Sequence, residues 1–153
     1  MNKRQNTYQE VLQQAVALAD TDAIAYMANI AALLHSQFSF WWVGFYRVKA
    51  DVLVLGPFQG PLACTRIGFG KGVCGTAWKS KHTIVVPDVD QFEGHIACSS
   101  LSKSEIVVPI LQNNEVMAVL DIDSEYPNAF DEEDAVYLEQ LAAVMARHIH
   151  FEQ

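Results

Sequence analysis

Two pairs of strand-like segments, each broken by a short turn, dominate the sequence. Residues 38–54 are dense in aromatic and β-branched side chains and are interrupted by Lys49-Ala50-Asp51, a pattern typical of a β-hairpin. Residues 106–111 and 116–122 form a second pair around Asn113-Asn114, and asparagine tolerates the positive φ that a tight turn requires. The sequence therefore predicts an antiparallel sheet.

Helical patterns lie at both ends of the chain. Thr7-x-x-Glu10 matches a capping box and is followed by apolar residues at helical spacing. Asp20-Thr21-Asp22 is suited to cap a second helix, and the acidic run 131–134 suits the positive end of a final helix dipole. Helices that cover a central antiparallel sheet define an α+β fold. We expect a single domain over residues 1–153, a length that suits one core.

The composition excludes several classes of function. With 10 basic against 18 acidic residues, a net charge of −8 and no basic block, nucleic acid is not an expected partner. No apolar stretch approaches the roughly 20 residues that span a bilayer, and the first residues lead into no apolar signal segment. We therefore expect a cytoplasmic protein without a membrane anchor. The odd number of cysteines, three, argues against a structural disulfide framework.

The segment 56–104 holds most of the glycines and all three cysteines, Cys64, Cys74 and Cys98. Long irregular segments in compact domains are usually functional or disordered, and apolar anchors such as Ile84-Val85-Val86 favour an ordered site here. The simplest explanation of any one cysteine is a small buried hydrophobe. The concentration of all three in this segment favours chemistry.

The neighbours of two cysteines suggest specific roles. Cys74 lies near the start of a helix predicted over residues 72–79, whose N–H dipoles would favour a thiolate, although packing beneath a glycine turn explains it as well. His95 precedes Cys98 by three residues, and an imidazolium there would lower the pKa of the thiol. Three cysteines and His95 would also complete a tetrahedral zinc site, but their spacing resembles no compact zinc module, so we expect no metal.

A group of acidic residues is the second candidate feature. Asp121 and Asp123 end a strand-like run and share one face by period-two alternation, which also fits a merely solvated face. Counting outward from the second predicted turn pairs Glu105 with Ile122, between the two aspartates. Three converging acids would repel one another, so that some of their pKa values rise and one becomes a plausible proton donor. They would also bind a ligand ammonium group.

Trp41 and Trp42 supply a candidate aromatic wall. In a regular strand the two side chains lie on opposite faces. One is then expected in the core, while the other could wall a small ligand site.

Five segments together resemble a known family. They are residues 42–46 (WVGFY), 55–60 (LGPFQG), 69–76 (FGKGVCGT), 94–98 (GHIAC) and 103–110 (KSEIVVPI). The chain resembles the free methionine-(R)-sulfoxide reductases, which are stand-alone GAF-domain enzymes. The resemblance implies a central antiparallel sheet with N- and C-terminal helices packed on it. It also implies a pocket closed by the cysteine-bearing loops, and often a homodimer.

The resemblance implies roles for the three cysteines. Cys98 matches the catalytic thiol, which attacks the sulfoxide sulfur of free methionine-(R)-sulfoxide and becomes a sulfenic acid. Cys64 matches the thiol that resolves this sulfenic acid by forming a disulfide. Cys74 matches a third cysteine whose share in recycling stays open. No bound cofactor is implied, and thioredoxin is the expected external reductant.

The resemblance also implies a substrate-binding set. Glu105, Asp121 and Asp123 match the acids that bind the substrate, and Trp42 matches the aromatic wall beside its methyl group. An acidic pocket favours a free amino acid, because a peptide-bound residue lacks the ammonium group.

Two other classes of function compete with this interpretation. A non-catalytic GAF sensor would bind a small ligand such as a nucleotide or an amino acid. Such modules normally sit beside output domains, for which 153 residues leave no room. A zinc- or redox-sensing domain would use the three cysteines together with His95.

Overall fold

The computed structural model describes residues 1–96, 98 and 101–151, so Ala97 of the 94–98 segment lies outside the described residues. Within these residues, four α-helices and six strands form the fold. The helices are α1 (Lys3–Ala17), α2 (Ala23–Phe38), α3 (Gly72–Ser80) and α4 (Glu132–His148). The strands are β1 (Trp42–Lys49), β2 (Val52–Gln59), β3 (Arg66–Gly68), β4 (Ile84–Val86), β5 (Ser104–Gln112) and β6 (Glu115–Ser124). None of the described helices is long and apolar enough to cross a membrane.

The strands form one sheet in the order β3-β2-β1-β6-β5-β4, and every described pairing is antiparallel. Both predicted hairpins are present. Ala50 turns between β1 and β2 with φ 57°, and Asn113 and Asn114 turn between β5 and β6 with φ 52° and 63°. The predicted α+β fold is confirmed.

The pairing of β5 with β6 differs from the simple count by one residue. The register shifts between Ile110 and Leu111, so Glu105 pairs with Asp123. The predicted partner, Ile122, was wrong because the count assumed a regular ladder with no bulge. Directly opposed residues share a face, and a one-residue slip changes the face. The bulge therefore places Glu105 on the face of the two aspartates.

The first helix begins earlier than its sequence suggested. Asn2 caps α1: its Oδ1 accepts a hydrogen bond from the Gln5 N–H at 2.8 Å, and the Gln5 side chain accepts one from the Asn2 N–H at 2.9 Å. The capping box predicted at Thr7 was wrong, since Thr7 lies inside the helix and its Oγ1 donates to the Lys3 carbonyl oxygen. The other predicted cap is confirmed, with Asp22 at the start of α2.

The two faces of the sheet carry different layers. Helices α1, α2 and α4 cover one face and enclose an apolar core that includes Val43, Phe45, Leu120 and Ile122. The other face packs against α3 and a second cluster of buried side chains. The segment 56–104, predicted as irregular but ordered, supplies β3, α3 and β4 to this second layer. The candidate site lies here.

Candidate active site

A cavity on the α3 face is lined by six of the seven residues proposed from the sequence, and the seventh, Cys64, is bonded to one of them. Its lining includes side chains from β1, β5, β6, α3 and the two loops that carry Cys64 and Cys98. The predicted residues in this lining are Trp42, Cys74, Cys98, Glu105, Asp121 and Asp123. Cys64 reaches the same place through a disulfide to Cys98, with Cα atoms 5.5 Å apart.

The three acids converge because alternate residues of neighbouring strands share a face. Asp121 and Asp123 lie two apart on β6, and Glu105 is opposite Asp123 on β5. Glu105 is 6% exposed and Asp121 is 5% exposed. Asp123 is partly buried and accepts a hydrogen bond from the Ser102 hydroxyl at 3.4 Å.

Burial and mutual repulsion change the acidity of these carboxyl groups. The pKa of Asp121 is raised well above its ordinary value, first by burial and then by the charge of Glu105. The pKa values of Glu105 and Asp123 are also raised, again mainly by burial and then by a neighbouring aspartate. A carboxyl group with a raised pKa keeps its proton to a higher pH than usual, which suits a general acid.

Cys64 and Cys98 form a disulfide at the edge of the cavity. Cys98 is exposed and Cys64 is half-buried, so a partner thiol has access from solvent. The disulfide joins the two cysteines that the family resemblance paired.

Two aromatic side chains of β1 hold the loop that carries Cys64. The Tyr46 hydroxyl donates to the carbonyl oxygen of Cys64 itself at 2.8 Å, and the Trp42 indole Nε1 donates to the carbonyl oxygen of Pro61 at 3.0 Å. Burial raises the pKa of the Tyr46 phenol, so this group remains a donor. These two hydrogen bonds from β1 therefore hold the loop in place, and with it the Cys64 end of the disulfide.

Trp42 also lines the cavity. Its ring stacks on Phe58 at a centroid separation of 5.2 Å. Gly44 makes room for it, since a Cβ there would lie 2.8 Å from Cη2 of Trp42. Trp41 lines the same cavity, so the expectation of opposite faces fails. The reason is that Trp41 precedes β1, which begins at Trp42.

Cys74 is the free thiol among the three. It lies in the first turn of α3, as predicted, but it is 4% exposed. The expected thiolate is not favoured, because burial and then the charges of Asp121 and Glu105 raise its pKa well above the ordinary value. Desolvation outweighs the helix dipole here, and the alternative of a thiol packed below a glycine turn is the better description.

His95 contacts an acid of the cluster. Its Nε2 atom lies 3.6 Å from Oε1 of Glu105. Burial lowers the pKa of His95, so the expected imidazolium beside Cys98 is not favoured. The zinc site considered from the sequence is not assembled, because Cys64 and Cys98 are bonded to each other. A smaller set, Cys74 with Glu105 and Asp121, could hold a cation.

Tyr46 and Gly44 are the functional positions that sequence reasoning missed. Both lie in the 42–46 segment, which carried the family resemblance but gave no chemical role to either residue. The signal available was their period-two relation to Trp42, which puts all three on the cavity face of β1.

The fold and the site together define the class of the protein, a GAF domain whose loops carry paired cysteines. The family model described as GAF domain matches residues 4–150. A crystal structure described as free methionine-R-sulfoxide reductase from Neisseria meningitidis in complex with its substrate is similar, with a TM-score of 0.93 and 51% identity. The similarity covers 97% of this chain and 91% of that one.

Curated relatives identify the family within this class. The free methionine-R-sulfoxide reductase of Escherichia coli is 45% identical over 87% of this chain and 81% of its own length. The yeast enzyme of the same name, from Saccharomyces cerevisiae, is 49% identical over 72% of this chain and 63% of its own length. The chain belongs to the free methionine-R-sulfoxide reductase family.

Proposed function

We propose that this protein reduces free L-methionine-(R)-sulfoxide to methionine, with Cys98 as the attacking thiol. The observation that carries the proposal is a solvent-accessible Cys64–Cys98 disulfide at the edge of a cavity that contains three buried or partly buried acids. Thiols supply the electrons for sulfoxide reduction, and acids supply the protons. The family to which the chain belongs supports the same substrate.

The first step joins the two halves of the site. The Cys98 thiolate attacks the sulfoxide sulfur, while a protonated member of the acid cluster gives its proton to the sulfoxide oxygen. The oxygen is transferred to the cysteine, so methionine leaves and Cys98 becomes a sulfenic acid. The sulfoxide is reduced by two electrons, and the Cys98 sulfur is oxidised by two.

Recycling uses the disulfide that the structure contains. The Cys64 thiol condenses with the Cys98 sulfenic acid, forming the S–S bond and releasing water. A dithiol of the thioredoxin type then attacks this disulfide, restores both thiols and becomes a disulfide itself. Such reductants keep cytoplasmic thiols reduced, so we propose that the reaction takes place there. Cys74 takes no part in this sequence of bonds.

The acid cluster explains why the substrate should be a free amino acid. The cavity lining includes no lysine or arginine among the described residues, so a ligand ammonium group would supply the missing positive charge. A peptide-bound methionine sulfoxide has an amide in place of the ammonium group. Trp42 would then contact the methyl group on sulfur.

Replacing Cys98 with serine tests the proposal. We expect Cys98→Ser to lose turnover of free methionine-R-sulfoxide, assayed with thioredoxin, its reductase and NADPH, because the serine hydroxyl is a far weaker nucleophile. Cys64→Ser should release one equivalent of methionine per chain and then recycle slowly. Cys74→Ser, the matched control, should retain formation of the disulfide.

Three outcomes would contradict the proposal. Retained turnover in Cys98→Ser would remove Cys98 from the mechanism. Unchanged steady-state turnover in Cys64→Ser would assign the resolving role to Cys74. A chain that binds the sulfoxide without any turnover would be a sensor, the competing class.

Size-exclusion chromatography with light scattering would test the homodimer that we also propose from the family.

A further inference from the structure

Cys74, the thiol that the disulfide leaves free, lies in a cluster of side chains that could bind a metal ion. Cys74 Sγ and one carboxylate oxygen each of Glu105 and Asp121 lie within 4.8 Å of one another, and all three side chains are buried. They come from α3, β5 and β6, so the sheet and its covering helix fix their positions. Ligand atoms on rigid elements can hold an ion with little rearrangement.

One atom of this cluster lacks a partner. Oδ1 of Asp121 is buried and has no hydrogen-bond partner among the described residues, although buried polar atoms are nearly always hydrogen-bonded. The side chain is 5% exposed and its carboxyl group lines the cavity. His95 is the basic side chain beside the cluster, with Nε2 3.6 Å from Oε1 of Glu105, and the described lining of the cavity includes no lysine or arginine. The cluster therefore presents acceptor atoms without a compensating cation.

The kinds of donor atom identify the ion. Magnesium and calcium prefer sites made only of oxygen, whereas a thiolate with carboxylates and imidazole suits zinc and related transition-metal ions. The ring nitrogen of His95 could be the fourth ligand, since Nε2 lies 3.6 Å from Oε1 of Glu105. Three protein ligands of this kind match a tetrahedral ion with one position left for His95 or for water.

We propose that Cys74, Glu105 and Asp121 bind a zinc-type divalent ion, with His95 available as a fourth ligand. The ion displaces the thiol proton and any proton on the two carboxyl groups. The S–H and O–H bonds break, sulfur and oxygen bond to the metal, and the protons pass to solvent. No electron is transferred. Because the Cys64–Cys98 disulfide contributes no ligand, the site exists in the oxidised protein and differs from a three-cysteine zinc site.

Occupancy of this site should compete with the substrate, a consequence that rests on the proposed function. Glu105 and Asp121 would bind either the metal ion or the ammonium group of methionine sulfoxide. A zinc-type ion would therefore act as an inhibitor at the centre of the acid cluster. Chelation should restore activity, because the metal bond forms without oxidising any sulfur.

Metal binding is tested directly on the full-length oxidised chain, in which Cys74 is the single remaining thiol. Titration with zinc in a calorimeter should give one ion per chain. Titration with cobalt(II) should give a thiolate-to-cobalt charge-transfer band, which only Cys74 can produce in this form. Absence of the band, or no stoichiometric zinc binding, would overturn the proposal even if no variant folded.

Variants assign the ligands. Cys74→Ala should abolish the cobalt band, and Glu105→Gln should weaken binding by about tenfold or more. Glu115→Gln is the matched control, because Glu115 is an exposed residue at the start of β6. Zinc affinity that is unaffected by Cys74→Ala, or lowered equally by Glu115→Gln, would overturn the assignment.

A competition experiment separates this inference from the proposed function. Free methionine-R-sulfoxide at saturating concentration should weaken the apparent zinc affinity in proportion to its own binding. If zinc binds through Cys74 and the sulfoxide has no effect, the metal site stands and the proposed substrate position is wrong. If the enzyme reduces the sulfoxide but gives no cobalt band, the proposed function stands and the metal site is wrong.

Discussion

The two faces of the central sheet are built from alternate residues of the same strands, and they differ in the polar groups that they bury. On β6, Leu120 and Ile122 face the helices, whereas Asp121 and Asp123 face the cavity. The helix face is a continuous apolar core. The cavity face combines an apolar cluster with buried acids and cysteines. A one-residue alternation therefore separates the groups that stabilise the fold from those that carry its chemistry.

The difference indicates where the free energy comes from. Burial of apolar side chains on the helix face stabilises the fold, whereas a buried carboxylate without a cation destabilises it. The cavity face can retain such groups because the helix face supplies the stability. Neighbouring positions on one strand should accordingly respond to substitution in opposite ways.

The largest expected effect follows from removing an acid of the cavity face. Asp121→Asn should lower kcat/KM for free methionine-R-sulfoxide by about 10²–10⁴-fold, because it removes a buried carboxyl group from the proton-donor cluster. The free energy of unfolding at neutral pH should stay the same or increase, since a repulsive buried charge is lost. Steady-state kinetics and urea unfolding of the same preparation check both statements.

Two results for this variant would contradict the comparison. Activity close to that of the wild type would show that Asp121 is a structural residue. A large loss of stability would show that the charged form of Asp121 holds the sheet together. Asp51→Asn, at an exposed position in the β1–β2 turn, is the matched control and should change neither quantity.

The adjacent residue on the helix face should show the reverse pattern. Leu120 is fully buried in the apolar core, so Leu120→Ala should lower the free energy of unfolding by about 2–5 kcal/mol. The kcat/KM of the folded fraction should change little, because the side chain points away from the cavity. Denaturant unfolding and kinetics below the unfolding transition measure the two effects.

Leu62→Ala is the matched control for stability. It makes the same chemical change at a residue that is 89% exposed, so its effect on unfolding should lie within about 0.5 kcal/mol. Equal destabilisation by Leu62→Ala and Leu120→Ala would remove the energetic distinction between the faces.

The pH dependence of stability gives a smaller effect, to which the acids of the cavity face contribute. The pKa values of Glu105, Asp121 and Asp123 are raised in the folded protein, so the folded state binds more protons than the unfolded chain. Their stabilising contribution is complete below the ordinary carboxyl pKa near 4 and is lost as the pH rises through the raised values. Each unit of raised pKa corresponds to about 1.4 kcal/mol.

Comparison with Asp121→Asn isolates this contribution. Unfolding measured from pH 4 upward should show wild-type stability falling relative to the variant. The comparison between proteins cancels other groups, such as Asp131, whose pKa is lowered by its hydrogen bond to Arg4. Parallel pH profiles for the two proteins would mean that Asp121 titrates normally.

The sequence predicted the strands and helices of both faces better than the register in which the strands pair. Hairpins, helices and the residues of the site were predictable because period-two alternation and turn residues are local signals. The bulge between Ile110 and Leu111 was not, because no local signal marked it. Simple counting placed Glu105 opposite Ile122, on the wrong face. The prediction of an acid cluster was therefore correct, but the strand pairing on which it rested would have placed Glu105 away from the two aspartates.

The ionisation of the site was also beyond local sequence signals. A position in the first turn of a helix suggested a thiolate at Cys74, and a neighbouring cysteine suggested an imidazolium at His95. Both expectations failed, because tertiary burial decides the pKa of each group. Burial depends on which strands lie beneath α3, a long-range property that spacing along the chain does not contain.

The smallest predicted effect concerns the turn that sets the register of both faces. Asn114 has φ 63° and an exposed side chain. Asn114→Ala should lower the free energy of unfolding by about 1 kcal/mol, because a Cβ disfavours the left-handed region without the local hydrogen bonding of asparagine. Asn114→Gly, the matched control, should be nearly neutral. In both variants kcat/KM should be unchanged, because the register is also held by alternation along the whole of β5 and β6. If Asn114→Ala loses more activity than its unfolded fraction explains, the turn residue itself maintains the register. The two faces would then be less independent than their composition indicates.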